Sequence, residues 1–170
     1  EFKVKIIQTD NISFGEKKNL GIENAAGDWI LWIDADERIT EELKSEIIAI
    51  AGKESSETTA FLINRKSFFI NKFMKYSGWY PDYTLRLFKR SAGVRFDDSS
   101  VHEKAMYAGK KGKLSCNIIH YTDKDFEHYI RKLNSYTTLS AEDLFKSGKR
   151  ASFFDIIFRP AFAFFKMYFL

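Results

Sequence analysis

The chain has 170 residues, of which 45% are hydrophobic and 29% are charged, a composition typical of one folded globular domain and not of a disordered segment. Its net charge of +4 suits a partner that carries phosphate, or an anionic membrane surface, without requiring either. Basic and acidic residues are interspersed and form no single basic stripe, which argues against nucleic acid as a partner. The single cysteine excludes an internal disulfide and a cysteine-rich zinc site and favours a reducing compartment.

The chain begins on the strand-like run EFKVKII, without an initiator methionine. A short β-strand is predicted over residues 3–7, followed by a helix over residues 17–25 that stops before Gly27. The apolar run WILWI, residues 29–33, has the length and continuity of a central strand covered on both faces. We therefore expect an α/β unit, in a fragment whose first elements are missing.

A second helix and several strands are predicted next. Thr40 is a good N-cap, the residues after it have an apolar face at helical spacing, and Gly52 ends the pattern. Farther along, the runs AFLINRKSFFI, TLRLFKR and KLSCNIIHY predict strands, separated by loops that contain Gly, Pro or Asp. A long amphipathic helix is predicted from a cap at Thr122 or Asp123 to Gly148.

The C-terminal segment, residues 149–170, differs from the rest in composition. From Phe153 it reads FFDIIFRPAFAFFKMYFL, and its only charges after that point are Asp155, Arg159 and Lys166. On a helical wheel these three lie within about 40° of one another, although Phe162 falls on the same side. Pro160 is expected to kink the helix. Such a segment predicts peripheral contact with a membrane interface and not a span across it; the alternative is a helix packed on the core or on a C-terminal extension.

Three acids, Asp34, Asp36 and Glu37, follow the apolar run at once. Carboxylates this close repel one another and lose hydration when partly buried, so a compensating positive charge is expected. Asp34 would leave the C-terminal end of the strand, where open α/β sheets bind ligands, and strand alternation would send Asp36 to the same side. The pair predicts a Mg²⁺ or Mn²⁺ site with coordination positions left for a diphosphate. The alternative is that these acids face solvent and cap the next helix.

Three stretches in order carry a resemblance to a known family: GEKKNLGIENAAGDWILWIDADERIT, GWYPDYTLRLFKR and VHEK. Over residues 3–148 the chain resembles family 2 glycosyltransferases of the GT-A fold, and one branch in particular, the lipopolysaccharide-core glucosyltransferases. The resemblance implies a Rossmann-like mixed sheet flanked by helices. It also implies inverting transfer of a hexose from a nucleotide sugar, first of all a UDP-hexose, to a saccharide or lipid-linked acceptor of the bacterial cell surface. Family members begin with further strands that shape the nucleotide pocket, so this chain is expected to lack part of that pocket.

The resemblance also assigns residues to metal and donor binding. Asp34 and Asp36 match the family's metal motif, which bridges the cation to the nucleotide-sugar diphosphate. His102 is the candidate for a third metal ligand or a diphosphate contact, since imidazole suits Mn²⁺. Lys18 and Asn19 lie in the helix where family members contact the donor; for Lys18 the alternative is a solvent-facing side chain.

An inverting transferase needs a general base that takes the proton of the attacking acceptor hydroxyl. Asp82, in YPDY, is the first choice and Glu103 the second; the alternative for Asp82 is an aspartate that simply makes a turn after proline. Arg86 and Arg90 are candidates to meet phosphate oxygens, and Arg86 is preferred because it lies within the matching motif.

Other functions fit less well. A phosphatase of the haloacid-dehalogenase type wants Thr or Val four residues after Asp34, where this chain has Arg38. A nucleotidyltransferase would show a Gly-rich phosphate loop, and none is visible. A non-catalytic membrane-surface module remains an alternative. The prediction is a partial GT-A catalytic domain over residues 1–148 and a membrane-interface segment over 149–170, working on the cytoplasmic face of a bacterial inner membrane.

Overall fold

The computed structural model describes residues 4–10, 12–53, 57–97 and 105–169. Within these ranges the α-helices are α1 (Phe14–Glu23), α2 (Glu41–Ala51), α3 (Phe126–Lys146) and α4 (Phe153–Phe169). The strands of the same ranges are β1 (Trp29–Leu31), β2 (Glu37–Ile39), β3 (Thr58–Phe69), β4 (Lys72–Phe73), β5 (Tyr83–Lys89), β6 (Arg95–Phe96), β7 (Ala105–Met106) and β8 (Lys110–Asp123).

One mixed sheet organises the described residues. Its strands lie in the order β1-β5-β3-β8-β2, with β4 paired to β3 beside this path. The β3–β8 pair is parallel, and the other pairs of the sheet are antiparallel. β6 and β7 form a separate two-stranded sheet. This arrangement confirms the predicted α/β class, a mixed sheet flanked by helices.

β1 is covered on both faces, as its unbroken apolar sequence predicts. Ile30 belongs to one buried cluster with Phe88, whereas Trp29 and Leu31 pack against a second cluster around Leu43. The prediction of a central strand is wrong for the described residues, because β1 stands at one end of the sheet order and spans only three residues. Its apolar character reflects coverage above and below, not strands on both sides.

The connection between β1 and β2 joins the two ends of the sheet. Residues 32–36 form the whole link between these two end strands. The Trp32 N–H donates to the Arg86 carbonyl of β5, and the Tyr121 N–H of β8 donates to the Asp36 carbonyl. The link therefore runs from β5 to β8 and carries the acidic residues with it.

Two helices begin at strong N-terminal caps. The Ser13 hydroxyl accepts from the Glu16 N–H while the Glu16 carboxylate accepts from the Ser13 N–H, a capping box that starts α1 at Phe14, three residues before the predicted helix. Thr40 caps α2 as predicted.

Residues 4–9 form no strand, so the predicted β-strand is wrong for the described part of residues 3–7. No strand of the described residues pairs with this segment.

The long helix α3 is confirmed, but its start is not at Thr122 or Asp123. Both residues belong to β8, which pairs with β3 as far as Asp123. Asp125 caps α3 instead, through a hydrogen bond from the His128 N–H to its carboxylate. Local side-chain chemistry allowed any of these positions, and the pairing of β8 with β3 decided among them.

α4 is a continuous helix that runs through Pro160. None of its residues is buried, and Asp155 is the only one described as half-buried. In the part of the chain that the structure describes, no helix is both long enough and apolar enough to cross a membrane.

Candidate active site

A cavity of about 690 Å³ opens where the β1–β2 link crosses the sheet. Asp34 and Asp36 line it, together with aromatic residues of α1 and α3. The cationic or titratable nitrogen side chains that line it are Lys18, Arg65, Arg86, His120 and Lys132. Residues from α1, the link, β3, β5, β8 and α3 therefore converge on one space where carboxylates and cations face each other.

A tight turn places the two aspartates on the same side. The Glu37 N–H donates to the Asp34 carbonyl over 3.0 Å, which closes the turn, and the Tyr121 N–H donates to the Asp36 carbonyl over 2.9 Å. Upstream, the Trp32 N–H donates to the Arg86 carbonyl over 2.7 Å. Both side chains reach the cavity as predicted, although the reason is this turn and not the alternation of a strand.

Arg86 supplies the positive charge that the acidic cluster requires. Its Nη2 lies 2.5 Å from Asp34 Oδ2 and 2.6 Å from Glu37 Oε1, and both Arg86 and Glu37 are almost fully buried. Burial would raise the pKa of Asp34, but the Arg86 charge and the hydrogen bonds from Trp32 and Arg86 outweigh it, so the pKa lies below its ordinary value. Part of the compensation assigned from the sequence to a metal ion therefore comes from the protein itself.

Asp36 has a different partner. The Nε2 atom of His120 lies 3.4 Å from Asp36 Oδ2, and the Nδ1 atom of the same ring lies 3.0 Å from the hydroxyl of buried Ser67. The hydrogen bond from His120 lowers the pKa of Asp36 against the smaller opposing effect of burial. Because Ser67 engages one ring nitrogen, the other is aimed at the carboxylate.

Asp82, the predicted base, is paired with a residue that lines the cavity. Its carboxylate forms an ion pair with Arg65, with 2.5 Å to Nη2 and 2.8 Å to Nε, and its N–H donates to the Asn64 side chain. Arg65 lines the cavity and Asp82 does not. Asp82 is therefore linked to the cavity through its pair with Arg65.

The two donor residues predicted on α1 take different positions. Lys18 lines the cavity, with its Nζ 4.9 Å from the centre of the Phe96 ring and 5.6 Å from that of Trp32. The Asn19 amide instead exchanges two hydrogen bonds of 2.8 Å with the backbone of Phe96, which ties α1 to β6. The contact of Asn19 with the donor stays a prediction, whereas its hydrogen bonds show that it holds α1 against β6.

His102 and Glu103 lie outside the described residues, so their predicted roles as metal ligand and second-choice base stay predictions. Over the ranges 4–10, 12–53, 57–97 and 105–169 no cluster of three or more His, Cys, Asp or Glu side chains suited to a metal is found. A third ligand would have to come from outside these ranges, and His102 is the residue that the resemblance suggests for it.

The donor types around the cavity nevertheless suit a hard divalent cation. Both Asp34 oxygens already accept hydrogen bonds, from Trp32 and Arg86, so Asp36 is the carboxylate that can bind a cation without breaking a pair with arginine. Two buried polar atoms of cavity residues, Thr84 Oγ1 and Arg86 Nε, have no hydrogen-bond partner among the described residues. Buried polar atoms of this kind ordinarily have a partner, and a bound ligand or a water molecule can supply one.

Sequence reasoning missed several residues that build this site. These are Arg65, Ser67, His120, Lys132 and Tyr136. Glu37 was predicted as part of the acidic cluster, but its pairing with Arg86 was not. Arg86 inside the apolar run TLRLF was the available signal for that pair, since an arginine in a buried strand needs an acidic partner. The two α3 residues, Lys132 and Tyr136, carried no signal, because their proximity depends on how α3 folds over the sheet.

Comparison with known proteins bears on this cavity. Residues 1–106 match Glycosyl transferase family 2, and all the cavity residues named above except those of β8 and α3 lie within them. The lipopolysaccharide core biosynthesis glycosyltransferase LpsC of Rhizobium meliloti (strain 1021) is 30% identical over 163 residues, which cover 92% of this chain and 58% of the relative. Uncharacterized glycosyltransferases of Rickettsia felis and Rickettsia conorii are 29% and 27% identical over 176 residues, covering 98% of this chain and 62% of each relative.

The chain spans about three fifths of the length of these curated relatives. The family match covers more than half of the chain and includes the acidic link, the strand that carries Arg86 and the loop that carries Asp82. The mixed sheet agrees with the GT-A-like fold that the sequence motifs imply. The chain belongs to glycosyltransferase family 2.

Proposed function

We propose that this chain holds the active-site cavity of an inverting hexosyltransferase. Its donor would be a nucleotide sugar, UDP-hexose first, and its acceptor a saccharide or lipid-linked saccharide at the cytoplasmic face of a bacterial inner membrane. The observation that carries the proposal is the convergence of Asp34 and Asp36 with several cationic side chains on one cavity. Family membership supports the reaction class, and the name of the Rhizobium relative supports lipopolysaccharide core synthesis.

In this proposal the acidic cavity residues bind the metal ion and the basic ones bind the diphosphate. Asp36, with Asp34 beside it, would hold Mg²⁺ or Mn²⁺, and that ion would neutralise part of the diphosphate charge. Lys18, Arg65 and Lys132 line the same space and would bind the diphosphate oxygens as the sugar leaves. Arg86, predicted as a phosphate ligand, is already held by two carboxylates, so we assign it the positioning of Asp34.

The chemical step is a single displacement. The acceptor hydroxyl oxygen attacks the anomeric carbon, the bond from that carbon to the diphosphate oxygen breaks, and the hydroxyl proton passes to a carboxylate base. Asp82 is the proposed base. Its ion pair with Arg65 couples it to the cavity, because movement of Arg65 toward a bound diphosphate would expose the Asp82 carboxylate.

Calorimetric titration of UDP tests the donor site. Binding is expected with Mn²⁺ and not in EDTA, and Asp36→Asn should weaken it at least about tenfold, the lower range for disturbing a metal site. Glu41→Gln, an exposed acid on α2, serves as the matched control and should bind as the wild type does. Equal binding in EDTA would overturn the metal requirement. Failure of UDP and of the other nucleoside diphosphates to bind, both to this chain and to one extended at its N-terminus, would overturn the proposed donor site.

A further inference from the structure

The aromatic tail, defined here as residues 146–169, has almost all of its side chains exposed. Its helix α4 contains seven phenylalanines and one tyrosine, and no residue of it is buried. Phe153 and Tyr168, near its two ends, are 73% and 74% exposed, and Phe158 in the middle is 62% exposed. A patch of this size on a water-facing helix signals an interaction surface.

The distribution of apolar residues around α4 indicates what kind of surface covers it. Asp155, Arg159 and Lys166 occupy a strip of about 40°, and apolar side chains fill roughly 240° of the remaining circumference. A helix that packs on the surface of a globular protein buries an apolar stripe a little over about 100° wide. Hydrocarbon, in contrast, covers a wide apolar arc without requiring a matching protein shape, and a narrow polar strip then faces the headgroups.

Charge selects the kind of bilayer. The basic residues of the aromatic tail are Lys146, Lys149, Arg150, Arg159 and Lys166. Asp155 is its only acid, which leaves a net charge of +4 over 24 residues. Basic residues beside an interfacial helix are attracted to anionic lipid headgroups. Gly148, with φ +78°, ends α3 between two of these cations and lets the chain turn into α4.

We infer that the aromatic tail docks the protein on an anionic bilayer surface, with the apolar arc of α4 in the acyl boundary and its charged strip toward the headgroups. α3 connects this surface to the cavity. Lys132 and Tyr136 of α3 line the cavity, and Tyr136 is ten residues before Lys146, about 15 Å along the helix axis. A lipid-linked acceptor held in the same bilayer would then lie within reach of the cavity, a consequence that rests on the proposed function.

Sedimentation with lipid vesicles tests the docking directly. The wild-type chain is expected to partition onto phosphatidylglycerol-containing vesicles and much less onto pure phosphatidylcholine. Lys149→Gln/Arg150→Gln should weaken binding to anionic vesicles about fivefold per charge, about 25-fold together. The control Lys44→Gln/Lys53→Gln removes the same charge near α2 and should leave a larger share of the binding.

The apolar contribution needs its own pair of variants. Phe158→Ser/Phe165→Ser should lower partition at least about tenfold, because two large side chains no longer enter the acyl boundary. Ile48→Ser, at an exposed position of α2, is the control. Equal partition onto neutral and anionic vesicles, or unchanged partition in both tail variants, would overturn the proposal. So would self-association in sedimentation equilibrium that the phenylalanine changes abolish without any vesicle binding.

The vesicle and nucleotide experiments fail independently. Tail variants should keep metal-dependent UDP binding, since no tail residue named for substitution lines the cavity. Lost vesicle binding with intact UDP binding would refute only the docking surface. Intact vesicle binding without nucleotide binding would refute only the proposed donor site and leave the membrane-surface module that the sequence also allowed.

Discussion

The cavity and the aromatic tail handle charge and apolar surface in opposite ways. At the cavity, carboxylates are matched to cations inside the protein: Arg86 to Asp34 and Glu37, and Arg65 to Asp82. In α4 the pair of Arg159 with Asp155 lies on the surface of the helix, and the phenylalanines are uncovered. The cavity is thus preorganised by its own residues, whereas the tail keeps its apolar side chains exposed among the described residues. Substitutions should therefore affect folding at the cavity and association at the tail.

The largest effect on stability is expected from Arg86→Met. This change leaves the fully buried Glu37 carboxylate without its partner, and breaking a buried pair from one side costs about 3–5 kcal/mol. Urea unfolding measures the loss. Arg95→Met, which breaks an exposed pair with Glu23, should cost about 1 kcal/mol or less.

The joint variant Arg86→Met/Glu37→Leu sharpens this prediction. It replaces both buried charges with apolar groups and should recover much of the lost stability. A loss below about 1 kcal/mol for Arg86→Met alone would show that the cluster is not held together by that guanidinium.

A smaller free-energy change, seen in turnover, is expected from Asp82→Asn. If Asp82 takes the acceptor proton, release of UDP from UDP-hexose and acceptor should fall about 100-fold or more, with metal-dependent UDP binding retained. Asp82→Glu keeps a carboxylate and should recover part of the rate. Full turnover in Asp82→Asn would move the role of base to Glu103.

A modest effect is expected from pH, through Asp36. Its pKa in the folded chain is below the ordinary value of 3.8, so its ionised form is stabilised by folding. That stabilisation is fully present above the unfolded-state pKa and is lost as the pH falls through the lower folded-state pKa. The melting temperature of the wild type should therefore fall below about pH 4 more steeply than that of Asp36→Asn. Parallel curves for the two proteins would contradict this assignment.

The smallest effect on stability is expected from Phe158→Ser in the tail. Its side chain is exposed, so the free energy of unfolding in the absence of lipid should change by about 0.5 kcal/mol or less. The same chain should nevertheless lose vesicle affinity. A large loss of stability would show that α4 packs on the protein.

Local features of the fold followed from the sequence. Thr40 as a cap, the periodicity of α3 and the wheel of α4 are set by neighbouring residues, and each predicts its helix. The end position of β1, the continuation of β8 to Asp123 and the pair of Arg86 with Glu37 join residues far apart in the chain. Nothing in the local pattern distinguishes among such partners.

The candidate site was likewise predictable where it depends on neighbouring residues, and not where it depends on residues far apart in the chain. Asp34 and Asp36 were found because two acids after an apolar run violate the ordinary pattern of a strand. His120 was passed over because a single histidine in an apolar run has no distinguishing sequence context. Only the folding of β8 against the link gives it a carboxylate to contact.

The link that carries the acids has a mechanical consequence. Because residues 32–36 join β1 to β2, the two strands at the ends of the sheet order are coupled through a short covalent link. A ligand that binds at Asp36 would restrain this link and, through it, β1 and β2 at the same time. Protection of their amides from solvent exchange should then rise together, at opposite ends of the sheet, on a single binding event.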